Sequence, residues 1–223
     1  MFRLRRSPTI LCALFVLAIA TPVAAQDPVP QPLPTPPMTV FVADVRGAMS
    51  TLKQEATIAA DLGVPVAELP SRGLGFVLGA HVYPLRRKNF ALGVGAEILR
   101  VSGSNTIEPE VEDGPEGPTI RNHWSHFSPQ VSLNFGARDG WSYLTVGWGR
   151  SKVTIDLEDS PQDDGDAVRT LNYGGGARWF INKHLAFTFD IRFYSINAQE
   201  AVEGRIATPN MRLRILSAGI SLR

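Results

Sequence analysis

The sequence has little cysteine and little uninterrupted apolar sequence. Its single cysteine, Cys12, lies near the N-terminus, so removal of that segment would leave no thiol for disulfides, catalysis or metal binding. Beyond residue 25, no stretch approaches the ~20 apolar residues that a membrane-spanning helix needs. An excess of one charge is also lacking, because 22 Lys and Arg residues nearly balance 21 Asp and Glu residues. This balance gives no indication of a nucleic-acid partner.

The first 25 residues have the composition of a secretory signal peptide. Three arginines within the first six residues precede an apolar run at 10–20, and the small residues of 23–25 follow it. We therefore expect cleavage after Ala25. Residues 26–38 contain six prolines, and this composition predicts an extended, polyproline-like periplasmic linker.

From residue 39 onward, apolar and polar side chains alternate. Residues 126–136, HFSPQVSLNFG, are the clearest example, because every second residue from Phe127 to Phe135 is apolar. Such alternation is typical of a strand between two different environments. It predicts eight strands, at about 39–51, 73–86, 90–105, 123–137, 141–157, 170–181, 185–197 and 210–223.

The predicted connections alternate regularly in length. Those at 87–89, 138–140 and 182–184 are short, whereas those at 52–72, 106–122, 158–169 and 198–209 are long. Tight turns on the periplasmic side, longer loops outside and an even strand number are typical of outer-membrane barrels. We therefore predict an all-β fold over residues 39–223: an eight-stranded antiparallel up-and-down transmembrane β-barrel.

The polar face combines glycines with charged residues, which suits the narrow interior of eight strands. Six charged residues are predicted to form a salt-bridge network in this lumen: Asp44, Arg46, Glu97, Arg178, Asp190 and Arg192. Arg212 and Arg214 are also assigned inward, towards Asp44 across the closure of the barrel. An unpaired charge there would be costly, so we expect the network to fill the lumen. A soluble barrel with the apolar face inside has the same period.

Aromatic residues near the predicted strand ends indicate two interfacial belts. Those near the short turns are Trp141, Trp179 and Phe90, and those nearer the long loops are Trp124, Trp148 and Tyr173. Trp124 and Trp141 fall on the lumen parity of their strands.

The layout resembles the small outer-membrane barrels of the OmpA, OmpX and OmpW type, notably in GLGFVLGAHVYPLR and FSPQVSLNFGARDGWSYLTVGWGRS. The resemblance implies a monomer that the barrel assembly machinery inserts into the outer membrane of a Gram-negative bacterium, in contact with membrane lipid and lipopolysaccharide. These proteins often end in an aromatic residue, whereas this chain ends in Arg223.

Few residues indicate chemistry. His123 and His126 lie three apart on a strand and face opposite sides, so they cannot readily share a metal ion. His126 and Ser128 share the polar face and resemble the His-x-Ser element of outer-membrane lipid A deacylases, although Pro129 and Gln130 depart from that pattern. Acidic residues cluster in two long loops, around 108–116 and 158–166, where divalent cations could bridge to lipopolysaccharide.

The resulting interpretation is a non-catalytic outer-membrane barrel, without cofactor or metal, that is structural or interacts through its outer loops. A lipid A-modifying hydrolase and a small-solute channel are the alternatives.

Overall fold

The alternating segments form eight antiparallel strands, which the computed structural model closes into a barrel in chain order. The structure describes residues 39–109, 114, 116–137, 140–158, 166–201 and 206–223. The predicted signal peptide and linker lie outside these residues. The strands are β1 Phe41–Thr51, β2 Arg72–Arg87, β3 Phe90–Thr106, β4 Thr119–Ala137, β5 Gly140–Leu157, β6 Val168–Phe180, β7 Leu185–Ile196 and β8 Met211–Leu222. The predicted fold class is confirmed.

The largest error in the predicted strand bounds concerns β4. It begins at Thr119 rather than at residue 123, because the additional residues pair with β3 on one side and largely with β5 on the other.

The register tilts the strands around the barrel. A line of cross-strand partners that starts at Phe41 on β1 crosses the other seven strands and returns to β1 at Thr51, ten residues further along. A stagger of this kind is what a closed barrel with tilted strands requires.

The first long connection contains structure that the alternation did not predict. Helix α1 spans Ala56–Leu62 and a 3₁₀ turn spans Val66–Glu68. Gly63 ends the helix at a φ of 69°, and its N–H bonds back to the last turn, as is common at helix C-termini. In the described part of the chain, no helix is long and apolar enough to cross a membrane.

The two faces of the sheet differ as a membrane barrel requires. Large apolar side chains are exposed on the outside, with Trp148 at 67% and Phe127 at 55%. The inside holds most of the buried polar and charged side chains. A soluble barrel would instead bury the apolar face.

The predicted position in an interfacial belt is wrong for two of the six aromatic residues. Trp124 and Trp141 are buried inside the barrel, where each packs edge-on against another ring with centroids 4.9 Å apart: Trp124 against Tyr194 and Trp141 against Phe180. Both side chains point inward, as their place in the strand alternation indicates, although they lie near strand ends. The other four are exposed on the outside: Phe90, Trp148, Tyr173 and Trp179.

Glycines on the inner face make room for large rings. An ideal Cβ on Gly176 would lie 2.6 Å from the Tyr143 hydroxyl, and one on Gly93 would lie 2.6 Å from the Tyr83 ring. The glycine-rich character of the polar face therefore lets these tyrosines lie across the narrow lumen.

Candidate functional site

The middle of the lumen holds a closed group of four charged side chains, which we call the ionic layer: Arg46, Glu97, Asp190 and Arg192. Arg46 lies 2.6 Å from Glu97 and 3.2 Å from Asp190. Arg192 lies 3.1 Å from Glu97 and 2.9 Å from Asp190. All four are buried, so two cations and two anions neutralise each other away from water.

Tyrosine hydroxyls bind the remaining carboxylate oxygens of the ionic layer. Tyr194 donates to Glu97 Oε1 at 2.9 Å, and Tyr143 donates to Asp190 Oδ2 at 2.7 Å. Each carboxylate thus accepts bonds on both oxygens, which is the condition under which buried ion pairs are tolerated.

A second ion pair lies next to this layer. Arg178 donates from Nε and Nη2 to the two oxygens of Asp44, at 3.2 and 2.8 Å, in the fork geometry that makes such pairs strong. Ser221 donates to the same carboxylate. The Arg178 guanidinium also lies 4.2 Å from the centre of the Tyr143 ring. The structure thus places the six predicted charges in two adjoining groups.

The inward assignment of Arg212 and Arg214 is wrong. Both are exposed on the outside of β8, while Leu213 and Ile215 point inward. Strands β1 and β8 do pair, but the residue facing Asp44 is Ser221. The prediction failed because it assumed that polar side chains mark the lumen along the whole strand.

Apolar layers lie on both sides of the charges. At the end of the barrel that carries the short turns, the layer consists of Val42, Tyr83, Ala91, Trp141, Phe180 and Ala186. At the end that carries the long connections, a larger cluster, which we call the outer apolar layer, includes inward residues of several strands and Ile58 of helix α1. The described lumen therefore has an apolar, an ionic and a second apolar layer.

The outer apolar layer was not predicted from the sequence, although the residue pattern of strand β5 indicates it. Its outward residues change from apolar at Trp148 to basic at Arg150 and Lys152, while its inward residues change from Thr145 to Val153 and Ile155. The period of two is kept, but the polarity of the faces is exchanged. Beyond this exchange, the outside of the strand is basic and its inside belongs to a hydrophobic core.

His126 belongs to a buried polar cluster. Its Nδ1 lies 2.9 Å from Ser151 Oγ and its Nε2 lies 2.9 Å from the Asn172 amide nitrogen. Asn172 in turn donates to Ser128 Oγ at 2.7 Å. The structure thus joins His126 to Ser151, while Ser128 bonds to Asn172, and all four side chains are buried inside the barrel.

The histidines and acidic loop residues considered in the sequence do not form a group of metal ligands in the described parts of the chain. His123 is exposed on the outside and His126 is buried inside, so the two cannot share an ion. No group of three or more suitable side chains occurs in the described ranges. Most of the acidic loop residues, including 110–113 and 159–165, lie outside those ranges.

Basic side chains surround the outer wall beyond the apolar band. This basic belt consists of Arg72, Arg100, Arg121, Arg150, Lys152, Arg169, Arg212 and Arg214. Three grooves on the wall each contain two of these residues: Arg100 with Lys152, Arg72 with Arg121, and Arg150 with Arg169. Arg121 also pairs with Glu158 at 2.7 Å.

Comparison with known proteins agrees with this geometry. Residues 11–223 match the family model described as the outer membrane protein beta-barrel domain. The structure is similar to that of Neisserial surface protein A, with a TM-score of 0.52 and 14% identity over 82% of this chain and 97% of that one.

Two further structures are less similar. The attachment invasion locus protein of Yersinia pestis gives a TM-score of 0.46 at 14% identity, over 82% of this chain and 95% of that one. OprG of Pseudomonas aeruginosa gives 0.43 at 12%, over 82% and 94%. No curated protein matches the chain.

Proposed function

The chain belongs to the outer membrane protein β-barrel domain family, and from this we propose that it is a sealed, non-catalytic barrel of the outer membrane that interacts through its outer wall and external loops. The observation that carries the proposal is the layered lumen. Six charged side chains, three of each sign, are buried in ion pairs between two apolar layers.

The energetics of the ionic layer argue against a water-filled path. A solute or ion that passes the middle of the lumen must separate Arg46 or Arg192 from carboxylates at 2.6 to 3.2 Å. Removing one member of a buried ion pair costs about 3–5 kcal/mol. Beyond this layer, the solute would also have to displace the packed apolar cluster that helix α1 covers.

The surroundings of His126 argue against the hydrolase alternative. A serine nucleophile needs a base, a path for the substrate and donors for the oxyanion. Here Ser128 and Ser151 are both fully buried inside the barrel, away from the outward face that an acyl chain would contact. The cluster is better explained as hydrogen bonding of a filled lumen.

Solute uptake tests the proposal against the channel alternative. Proteoliposomes that contain the folded protein should swell in sugar and amino-acid solutions no faster than empty liposomes, while a general porin serves as the positive control. Swelling that increases with the amount of protein would overturn the sealed-lumen proposal.

Acyl release tests it against the hydrolase alternative. We expect no release of fatty acid when the folded protein is incubated with lipid A. Release by the wild type that is lost in both His126→Ala and Ser128→Ala would establish the hydrolase instead.

A further inference from the structure

Two arginines of the basic belt lie directly opposite each other on neighbouring strands. Arg150 on β5 and Arg169 on β6 are cross-strand partners, and both side chains are exposed on the outer wall. Like charges in this position destabilise a sheet. Neither side chain forms an ion pair with a carboxylate in the parts of the chain that the structure describes. A ligand with negative charge would relieve this repulsion.

An apolar groove continues from this pair towards the membrane. It has a volume of about 560 Å³ and is lined by Phe127, Pro129, Trp148 and Gly149 together with the two arginines. Phe127 and Trp148 are among the most exposed aromatic side chains of the wall, at 55% and 67%. One end of the groove is thus cationic and the other end is apolar.

The groove coincides with a gap in the sheet. The β4–β5 pairing passes from Phe127 with Arg150 to Gln130 with Gly147, and the two rows between them are not paired. Pro129 explains the gap, because proline has no N–H to donate to the neighbouring strand. On the other side, Pro129 remains paired with Ala96 of β3, so the interruption is confined to the groove.

We propose that this groove binds a phosphorylated glycolipid of the outer leaflet, through the lipid A part of lipopolysaccharide. A phosphate would lie between Arg150 and Arg169, whose guanidinium groups suit bidentate bonding to phosphate oxygens. An acyl chain would lie along Phe127, Pro129 and Trp148. The pair lies where β5 changes from apolar to basic outward residues, which is the level of a lipid headgroup.

Two neighbouring grooves of the wall favour a ligand with several phosphates and chains. Two further wall grooves place basic residues beside exposed apolar side chains: Arg100 and Lys152 lie near Phe76, and Arg72 and Arg121 lie near Leu74. Lipid A carries two phosphates and several acyl chains, whereas a phospholipid carries one phosphate and two chains. This inference goes beyond the sealed lumen, and lipid binding at the wall is measured independently of conduction through the barrel.

Native mass spectrometry of the folded barrel in detergent tests the assignment. The probes are diphosphoryl lipid A, dephosphorylated lipid A, phosphatidylglycerol and inorganic phosphate. We expect diphosphoryl lipid A to bind most tightly, and R150Q/R169Q to weaken it about tenfold or more, since two charge-assisted contacts are lost. R212Q/R214Q is the matched control, because it removes the same charge from the belt outside the groove, and its affinity should stay within about twofold of the wild type.

Several results would overturn the proposal. These are undiminished lipid A binding in R150Q/R169Q, an equal loss in R212Q/R214Q, or equal affinity for phosphatidylglycerol or phosphate. Heat-modifiable gel migration checks that each variant is folded. Trp148→Ala, which removes the apolar end of the groove, should also weaken lipid A binding and keeps the test decisive if the double variant fails to fold.

Discussion

Asp190 and Arg192 lie two residues apart on β7 and form an ion pair inside the barrel, with Arg192 Nε 2.9 Å from Asp190 Oδ1. Residues two apart on a strand share a face, so the sequence itself places these charges together. The same carboxylate oxygen is also 3.2 Å from Arg46 of β1. One aspartate therefore forms ion pairs with two arginines on different strands.

Replacement of Asp190 by alanine should leave Arg46 and Arg192 with one carboxylate between them. We expect the free energy of unfolding to fall by about 3–5 kcal/mol, because a buried charge loses its partner. Urea titration of the barrel in lipid vesicles measures this change. Lys53→Ala is the control, because Lys53 and Glu55 pair at the surface and such pairs contribute about 0–1 kcal/mol. Equal effects of the two substitutions would contradict a tightly packed ionic layer.

The hydroxyl of Tyr194, which donates to Glu97, should also contribute to the stability of the barrel. Tyr194→Phe removes the hydroxyl that lies 2.9 Å from Glu97 and keeps the ring that packs on Trp124. A buried carboxylate without its donor should cost about 1–3 kcal/mol in the same urea titration. Tyr173→Phe, at an exposed tyrosine of the outer wall, should leave stability nearly unchanged. A Tyr194→Phe barrel as stable as the wild type would mean that water replaces the hydroxyl.

Helix α1 should open locally more often when the Ile58 side chain, which packs into the barrel, is shortened to that of alanine. Ile58 is buried in the outer apolar layer, so Ile58→Ala should lower the free energy of local opening by about 2–5 kcal/mol. Limited proteolysis of the folded barrel should then cleave faster within Ala56–Leu62, while the strands stay protected. Thr57→Ala, at an exposed position of the same helix, should leave the cleavage rate unchanged. Equal cleavage of the two variants would show that α1 does not depend on Ile58.

The alternating connections predict the orientation of the barrel in the membrane, with the long connections outside. Cysteines placed at Asp61 and Gly114, in two long connections, should react with an impermeant label on intact cells. A cysteine at Asn182, in the short β6–β7 turn, should react only after the outer membrane is opened. Gly165, in another long connection, lies outside the described residues and should behave like Gly114. The opposite pattern would reverse the predicted topology.

The sequence predicted the strands and the inward charges of the membrane-spanning part because one rule holds there: apolar side chains face lipid and polar ones face the lumen. Asp44 and Asp190 follow this rule. Arg212 does not follow it, because it lies near the strand ends at the long connections, where the inside becomes a hydrophobic core and the basic residues face outward. Trp124 was assigned to a belt from its position near a strand end, but it lies in that same core. A strand period of two reports that two faces differ, but not which face is inside.

Contacts between side chains of different strands could not be predicted from the sequence, for a different reason. Spacing places Asp190 beside Arg192, but only the register of the closed barrel places Glu97 of β3 between Arg46 and Arg192. The Arg150–Arg169 pair likewise depends on the β5–β6 register. The Ser151 partner of His126 could not be found from the His-x-Ser spacing, because it comes from the neighbouring strand.

Planar-bilayer recording of the wild-type protein tests the central claim most directly, since ions are the smallest solutes that an open lumen would pass. With the Arg46–Glu97 and Arg192–Asp190 pairs intact and apolar layers on both sides, insertion of the folded barrel should give no steady conductance. The result should hold over a range of voltages and salt concentrations. A stable, reproducible ion-conducting state from protein that migrates as folded on gels would contradict the sealed lumen and favour a channel.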